Sequence, residues 1–351
     1  MNGFIQILPP GLRRALKSFS PDRMAKILSD RFAEIAWEYS HGIPLIKYVQ
    51  IQTQSRCNAD CLFCPYSESW HAENPGRMSD DLFNKVLEQL LPFSYGINKG
   101  KVCPYLMQEP LLDSRIFKRI QLIYKYFPGT LVEISTNAMV LNDKVTGMIM
   151  DIFPGRRHEI WISHHGIDKS SMEYIMKIDY EKSKRNLIKF LKRADGNLRI
   201  RIRGAGTSKN RYFNFFTSGE YIDYWRRVIS NEGINTSNVD IDSFRFHDRA
   251  GSINRRERNA YMNNQGIVRK IDSNHPFRCG RIDEWIHIMY DGRIRICCMD
   301  YHGEVDLPNI KDMTIEDYLR SDAFRELRNM VKGRKKSPDN FICKRCSSPG
   351  G

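Results

Sequence analysis

The sequence lacks any stretch approaching the roughly 18 consecutive apolar residues that a membrane-spanning helix needs. Its first residues also lack the layout of a secretory signal peptide, in which a basic segment precedes an apolar one. We therefore expect a cytoplasmic protein with no membrane partner.

The composition excludes disordered, collagen-like and coiled-coil proteins, because apolar residues make up 41% and charged residues 27% of the chain. At roughly 100–200 residues per domain, the 351 residues predict a globular protein of about two domains. Acidic residues are in deficit, with 41 Asp and Glu against 55 Lys and Arg, a net charge of +14. This excess favours anionic partners such as nucleic acid or phosphorylated molecules, although a solubilising surface explains it more simply.

Cysteine is too sparse for a disulfide-stapled mini-protein, and nine thiols in a cytoplasmic chain of this size would be kept reduced. Their spacing favours metal binding instead. The cysteines are Cys57, Cys61 and Cys64; Cys103, a candidate core thiol; Cys279; Cys297 and Cys298; and Cys343 and Cys346.

The hydrophobic pattern predicts an α/β fold. Short runs rich in β-forming residues alternate with helical patterns, such as Asp80 to Leu91 with Ser79 as its N-cap. Strands are predicted near 46–53, 101–107, 131–136, 159–164, 198–203 and 239–246. Six strands separated by helices indicate a parallel sheet that is curved or barrel-like.

The pattern divides the chain into a helical extension over 1–45, a core over 46–275 and a smaller domain over 276–351. In the smaller domain, Asp291-Gly292 between two β-rich runs predicts a hairpin. A single helix is predicted over 314–331.

Three cysteines follow the first predicted strand in the run Cys57-Asn58-Ala59-Asp60-Cys61-Leu62-Phe63-Cys64. This loop is where α/β folds place their sites. A structural zinc takes four protein ligands, whereas a cubane held by three cysteines leaves one iron open to a small molecule. Zinc completed by a distant residue is the alternative. The CxxxCxxC spacing resembles the radical S-adenosylmethionine (SAM) superfamily, which implies a partial (β/α)6 barrel, a 4Fe-4S cluster and bound SAM.

The same resemblance implies SAM contacts at the strand ends. Gln108-Glu109-Pro110 stands where the family carries a Gly-Gly-Glu-Pro turn that holds the methionine amino group. The glycines are missing here, so the carboxylate of Glu109 is the contact that remains. Ser135-Thr136-Asn137 resembles the ribose-contacting segment, and Phe63 would offer its backbone to the adenine. The implied contacts are Phe63, Glu109, Ser135, Asn137 and Ser163.

Two further strand ends carry candidate catalytic residues. His165 follows the fourth strand, and His247 and Arg249 follow the sixth. Histidine can remove a proton near neutrality and arginine pairs with anions, although a lone histidine at a strand end is more often structural.

A second cysteine set, Cys279, Cys297, Cys343 and Cys346, supplies four ligands. It resembles the shortened "twitch" form of the SPASM domain, which implies one auxiliary 4Fe-4S cluster. Four-thiolate zinc is the alternative. The spacing from Gly292 favours Cys297 over Cys298 as the ligand.

The resemblance implies reductive cleavage of SAM to a 5′-deoxyadenosyl radical, which abstracts a hydrogen atom from the substrate. An auxiliary cluster without an open iron is suited to accepting an electron, so we expect a dehydrogenase-like reaction on a polar or anionic small molecule. A flavodoxin- or ferredoxin-type protein would supply electrons. The alternatives are a maturase that crosslinks or oxidises a ribosomal peptide, an RNA-modifying enzyme, and a binding protein whose SAM site has decayed.

Overall fold

The computed structural model describes residues 21–205, 216–244, 249–253 and 279–346. The chain divides into two units, Met1–Leu45 and Ile46–Gly351. The first unit contains helix α1, Pro21–His41. Over these described ranges, no helix has both the length and the apolar character needed to cross a membrane.

The second unit is built on a mostly parallel sheet of eight strands in the described part of the chain. The strands are β1 (Tyr48–Ile51), β2 (Lys101–Cys103), β3 (Leu131–Thr136), β4 (His158–Ser163), β5 (Ile200–Ala205), β6 (Val239–Phe244), β7 (Trp285–Ile288) and β8 (Ile294–Arg295). Their order is β6-β5-β4-β3-β2-β1-β7-β8, and only the β7–β8 pair is antiparallel. The predicted α/β fold is confirmed.

Helices lie between the parallel strands and after the β7–β8 hairpin. They are α2 (Trp70–Glu73), α3 (Asp80–Gln89), α4 (Ser94–Lys99), α5 (Ile116–Tyr126), α6 (Asp143–Ile152), α7 (Lys169–Met176), α8 (Tyr180–Ala194), α9 (Ser218–Asn231), α10 (Arg281–Glu284), α11 (Ile315–Arg320), α12 (Asp322–Val331) and α13 (Ile342–Arg345). Helix α3 begins as predicted, because the Ser79 side chain accepts a hydrogen bond from the Leu82 backbone N–H.

Two predicted elements differ in extent. Strand β2 ends at Cys103 rather than near residue 107, since Pro104 follows and has no N–H for the sheet. The helix predicted over 314–331 is two helices, α11 and α12. The backbone adopts an extended conformation at Ser321. The Ser321 hydroxyl caps the second helix by accepting a hydrogen bond from the Phe324 N–H.

Side chains alternate across the strands, which sets the two faces of the sheet. In β4, Ile160 and Ile162 are buried in the apolar core. The intervening positions carry polar or aromatic groups that continue to Ser163 at the carboxyl end. Polar side chains therefore meet at the carboxyl ends of the parallel strands.

Strand β7 pairs in parallel with β1, from Tyr48–Trp285 to Ile51–Ile288. The carboxyl-terminal hairpin therefore joins the same sheet as the predicted core. The boundary expected near residue 276 lies outside the described residues, and the division between 46–275 and 276–351 stays a prediction.

Candidate active site

The loop that carries the first three cysteines is held by the end of helix α7. The backbone N–H of Leu62 donates to the Ile175 carbonyl at 2.9 Å, and that of Asp60 donates to the Met176 carbonyl at 3.2 Å. The loop also turns on itself, since the Cys64 N–H donates to the Cys61 carbonyl at 3.0 Å. These hydrogen bonds hold in place the backbone of the loop that carries the three cysteines.

A cavity of about 180 Å³ lies beside this loop. It brings together most of the residues singled out in the sequence. The predicted residues that line the cavity are Cys57, Cys61, Phe63, Cys64, Glu109, Ser135, Asn137, Ser163, His165 and Arg249. His247 falls outside the described residues. The strand ends and the cysteine loop thus form one site.

Glu109 is only 3% exposed, and both of its carboxylate oxygens accept backbone hydrogen bonds. Oε1 accepts from the Leu111 N–H at 3.2 Å and Oε2 from the Asn137 N–H at 2.9 Å. Burial raises the pKa of this carboxyl to about 7, against the opposing effect of those donors. The Thr136 side chain also hydrogen-bonds to this carboxyl. Three donors leave about one of its four lone pairs for a ligand ammonium.

The hydroxyl and amide groups expected to contact ribose lie on adjacent strands. Ser135 Oγ is 3.3 Å from Ser163 Oγ. The side-chain amide of Asn137 donates to Asn58 Oδ1 at 2.8 Å, which ties the end of β3 to the cysteine loop. This edge of the cavity is polar and internally hydrogen-bonded.

His165 is buried, and its ring packs edge-on against Phe63 with centroids 4.8 Å apart. Burial, reinforced by the charges of His164 and Arg203, lowers its pKa to about 3. The imidazole is therefore neutral near neutral pH, and in this buried position it binds a proton only weakly.

Arg249 reaches from the segment after β6 to the cysteine loop. Its Nε donates to the Phe63 carbonyl at 3.4 Å, and one terminal nitrogen lies 3.9 Å from Met299 Sδ. Burial works against the charged form, but Tyr301 and the thiols of Cys64 and Cys298 raise the pKa of Arg249. The site thus contains a half-buried, permanent cation.

The four cysteines of the second set line another cavity, of about 30 Å³. Its other walls are mainly apolar, from Ile282, Ile296, Val331 and Ile342. Burial raises the pKa values of Cys297 and Cys343. Cys298 does not line this cavity; instead its Sγ lies 3.7 Å from a terminal nitrogen of Arg281.

The donor sets fit iron–sulfur clusters. Three cysteines line the first cavity and four line the second, and thiolates are the ligands that hold iron–sulfur clusters. Cys57 has its pKa raised to about 12 by burial and by the Glu109 charge. Thiolates in such surroundings need a positive metal centre to balance them.

Several residues of the first cavity are not singled out by the sequence. They are Tyr66, Tyr105, Met107 and Tyr301. The Tyr66 hydroxyl accepts from the Cys57 N–H at 3.2 Å and so supports the loop. Tyr301 lies four positions after Cys297, on a segment whose approach to the first cysteine loop has no local sequence signal.

Residues 279–347 match the family model described as SPASM, an iron–sulfur cluster-binding domain. The chain is 25% identical over 143 residues to the S-adenosyl-L-methionine-dependent 2-deoxy-scyllo-inosamine dehydrogenase of Niallia circulans. That match covers 37% of this chain and 56% of the relative, so it spans little more than half of the relative's length.

Two solved structures have a similar fold. One is BtrN in complex with AdoMet and 2-DOIA, at 17% identity and a TM-score of 0.53, covering 87% of this chain and 94% of that one. The other is Streptococcus suis SuiB bound to its precursor peptide SuiA, at 15% identity and a TM-score of 0.59, covering 96% and 81%.

Proposed function

We propose that this radical SAM protein with a carboxyl-terminal SPASM domain oxidises a polar or anionic small molecule. The observation that carries the proposal is the shared wall between two cysteine-lined cavities. Arg249 and Tyr301 line the first cavity, while Ala250 and Met299 line the second. Hydrogen abstraction on one side of such a wall and electron uptake on the other make a two-electron oxidation.

The first cavity would hold a 4Fe-4S cluster on Cys57, Cys61 and Cys64, with SAM at the remaining iron. Glu109 would accept from the SAM ammonium, and Ser135 and Asn137 would bind the ribose hydroxyls. When bound, the reduced cluster and SAM supply a 5′-deoxyadenosyl radical that takes one hydrogen atom from a substrate carbon.

The second cavity would hold an auxiliary cluster on Cys279, Cys297, Cys343 and Cys346. With every iron held by the protein, this cluster supplies an acceptor for one electron. A flavodoxin- or ferredoxin-type donor is the proposed source of electrons for the first cluster. We place both proteins in the cytoplasm.

The protein's own groups complete the oxidation of an alcohol to a carbonyl. His165 lines the first cavity, so it is the proposed acceptor of the hydroxyl proton. Because burial lowers its pKa to about 3, bound substrate would have to raise that pKa for the transfer to proceed. Arg249 would pair with an anionic or hydroxyl group and orient the carbon that loses hydrogen. One hydrogen atom, one proton and one electron then leave the substrate. His247 remains a candidate for the same proton.

Local charge favours a small molecule over nucleic acid. The arginines of β5 are paired with acidic residues: Arg201 lies 3.2 Å from Glu159 and Arg203 lies 2.8 Å from Asp242. These cations are therefore neutralised within the sheet rather than free for phosphates. A steep dependence of RNA affinity on salt would argue for a nucleic-acid substrate instead.

The test is anaerobic turnover of reconstituted protein with SAM and dithionite. We expect 5′-deoxyadenosine, and faster formation of it with 2-deoxy-scyllo-inosamine as the probe than with a SuiA-type peptide. The Cys57/Cys61/Cys64 triple alanine variant should form none. Stimulation by the peptide alone would favour a peptide maturase, and no cleavage in the native protein would favour a binding protein.

A further inference from the structure

Tyr301 belongs to the carboxyl-terminal region but touches a cysteine of the first loop. Its hydroxyl lies 3.7 Å from Cys64 Sγ, within hydrogen-bond distance for sulfur. The residue is 6% exposed and lines the first cavity. A residue that follows Cys297 by four positions therefore reaches the other cysteine set.

The ring of Tyr301 is fixed by packing. It forms a buried cluster with Met107 and Met289, against which Cys64 and Tyr66 also pack. Apolar surroundings of this kind strengthen a hydrogen bond relative to the same bond in water. The packed ring thus holds the hydroxyl beside the sulfur.

The direction of this bond changes when Cys64 becomes a metal ligand. A free thiol can donate its S–H to the tyrosine oxygen, but a thiolate can only accept. The Tyr301 hydroxyl keeps its proton at neutral pH and must then donate to sulfur. Donors to ligand sulfurs stabilise the more negative, reduced state of an iron–sulfur cluster.

The same short segment contacts the second set. The Met299 backbone N–H lies 3.4 Å from Cys297 Sγ, and the Tyr301 N–H donates to the Met299 carbonyl at 3.1 Å. Residues 297–301 therefore carry a donor for a sulfur of each cavity.

We propose that Tyr301 is a positioning residue that raises the reduction potential of the first cluster by donating a hydrogen bond to Cys64. The inference rests on the proposed function, because it requires a cluster on Cys57, Cys61 and Cys64. Through this hydrogen bond, the reduction potential of the first cluster depends on correct folding of the carboxyl-terminal region.

The test is an anaerobic redox titration followed by electron paramagnetic resonance. The first cluster is identified by the signal that SAM perturbs. In Tyr301→Phe, which keeps the ring, we expect this signal to titrate at a more negative potential, with the second cluster unchanged. Tyr105→Phe is the matched control, because Tyr105 lines the same cavity but donates to Glu133.

An unchanged potential in Tyr301→Phe, or an equal shift in Tyr105→Phe, would overturn the inference. If Tyr301→Phe loses iron, Tyr301→3-fluorotyrosine gives an independent result, since its more acidic hydroxyl should move the potential in the positive direction. Absence of any SAM-perturbed signal in the native protein would instead contradict the proposed function.

Discussion

Arg249 and Ala250 are consecutive in the chain, yet they line different cavities. Their φ angles are +50° and +56°, and Gly251 follows at +75°. The left-handed conformation costs a non-glycine residue roughly 1–2 kcal/mol. It is held here by contacts on both sides: Arg249 donates to the Phe63 carbonyl, and the Ser252 hydroxyl donates to the Met299 carbonyl at 3.4 Å.

Ala250 is 2% exposed, so its side chain has little room to grow. We expect Ala250→Val to crowd the second cavity and to disfavour the left-handed backbone, with loss of about four of about eight irons per chain. Ala250→Gly is the control, which should keep both clusters and gain about 1 kcal/mol in the free energy of unfolding. Iron content and urea unfolding measure the two effects, and full iron in the valine variant would contradict this account.

Cys297 and Cys298 are adjacent, which makes them a matched pair for testing the second cluster. Cys297→Ala should lose about four irons, whereas Cys298→Ala should keep about eight, because Cys298 contacts Arg281 instead of lining the cavity. Iron and acid-labile sulfide per chain are the measurements. The reverse pattern would make Cys298 the ligand.

Loss of the second cluster should separate SAM cleavage from product formation. Cys343→Ala is expected to retain some 5′-deoxyadenosine formation but to yield no oxidised product, because the electron left on the substrate then has no acceptor. Cys64→Ala should abolish both. Chromatography of 5′-deoxyadenosine and product in one reaction distinguishes the two variants, and normal product from Cys343→Ala would remove the electron-acceptor role.

Glu109 is expected to bind the SAM ammonium through a charge-assisted hydrogen bond. Such bonds contribute about 1.5–3 kcal/mol, so Glu109→Gln should weaken SAM binding by roughly 10- to 150-fold. Equilibrium binding of SAM to the reconstituted protein measures this. The thermal midpoint should be recorded alongside, since the new amide group faces the backbone donors of Leu111 and Asn137. Unchanged affinity would assign Glu109 a purely structural role.

His164 should make stability depend on pH. Burial, aided by the Lys184 charge, lowers its pKa to about 3, below the ordinary value near 6.5. The unfolded chain therefore binds more protons, and stability is complete above about pH 6.5 and falls as the pH drops towards 3. Between pH 8 and 5.5 this one histidine should account for a loss of about 1.4 kcal/mol.

The non-titrating variant His164→Gln tests that assignment. Its free energy of unfolding will be lower at pH 8, because the ring contact with Trp225 and the bond to the Gly166 carbonyl are lost. Between pH 8 and 5.5, however, it should fall by about 1.4 kcal/mol less than that of the native chain. Parallel pH profiles would show that another group dominates.

Local patterns were sufficient to predict much of the sheet. Strand β3 spans the predicted 131–136 because its buried apolar residues are bounded by turn residues. The same patterns wrongly predicted one continuous helix over 314–331. Leu319 and Phe324 keep the helical spacing across Ser321, but the Ser321 hydroxyl caps a new helix and so ends the first one. Helical periodicity alone does not reveal which serine will end one helix and start the next.

Some residues of the candidate site could likewise be predicted from the sequence, and others could not. The strand-end residues follow from topology, because the carboxyl ends of parallel strands meet at one edge. Tyr301 could not be predicted this way, since its contact with Cys64 joins distant parts of the chain and depends on the packing of Met107 and Met289. The backbone partners of Glu109 were likewise visible only in the folded chain.

The pairing of β7 with β1 has a consequence for synthesis on the ribosome. Tyr48 emerges early, but its partner Trp285 is made only roughly 10 to 50 seconds later at about 5–20 residues per second. Until then one side of β1 is an open edge whose backbone groups can pair with another chain. Truncation before residue 285 would make that edge permanent, so shortened forms should aggregate even where the first cysteine loop is intact.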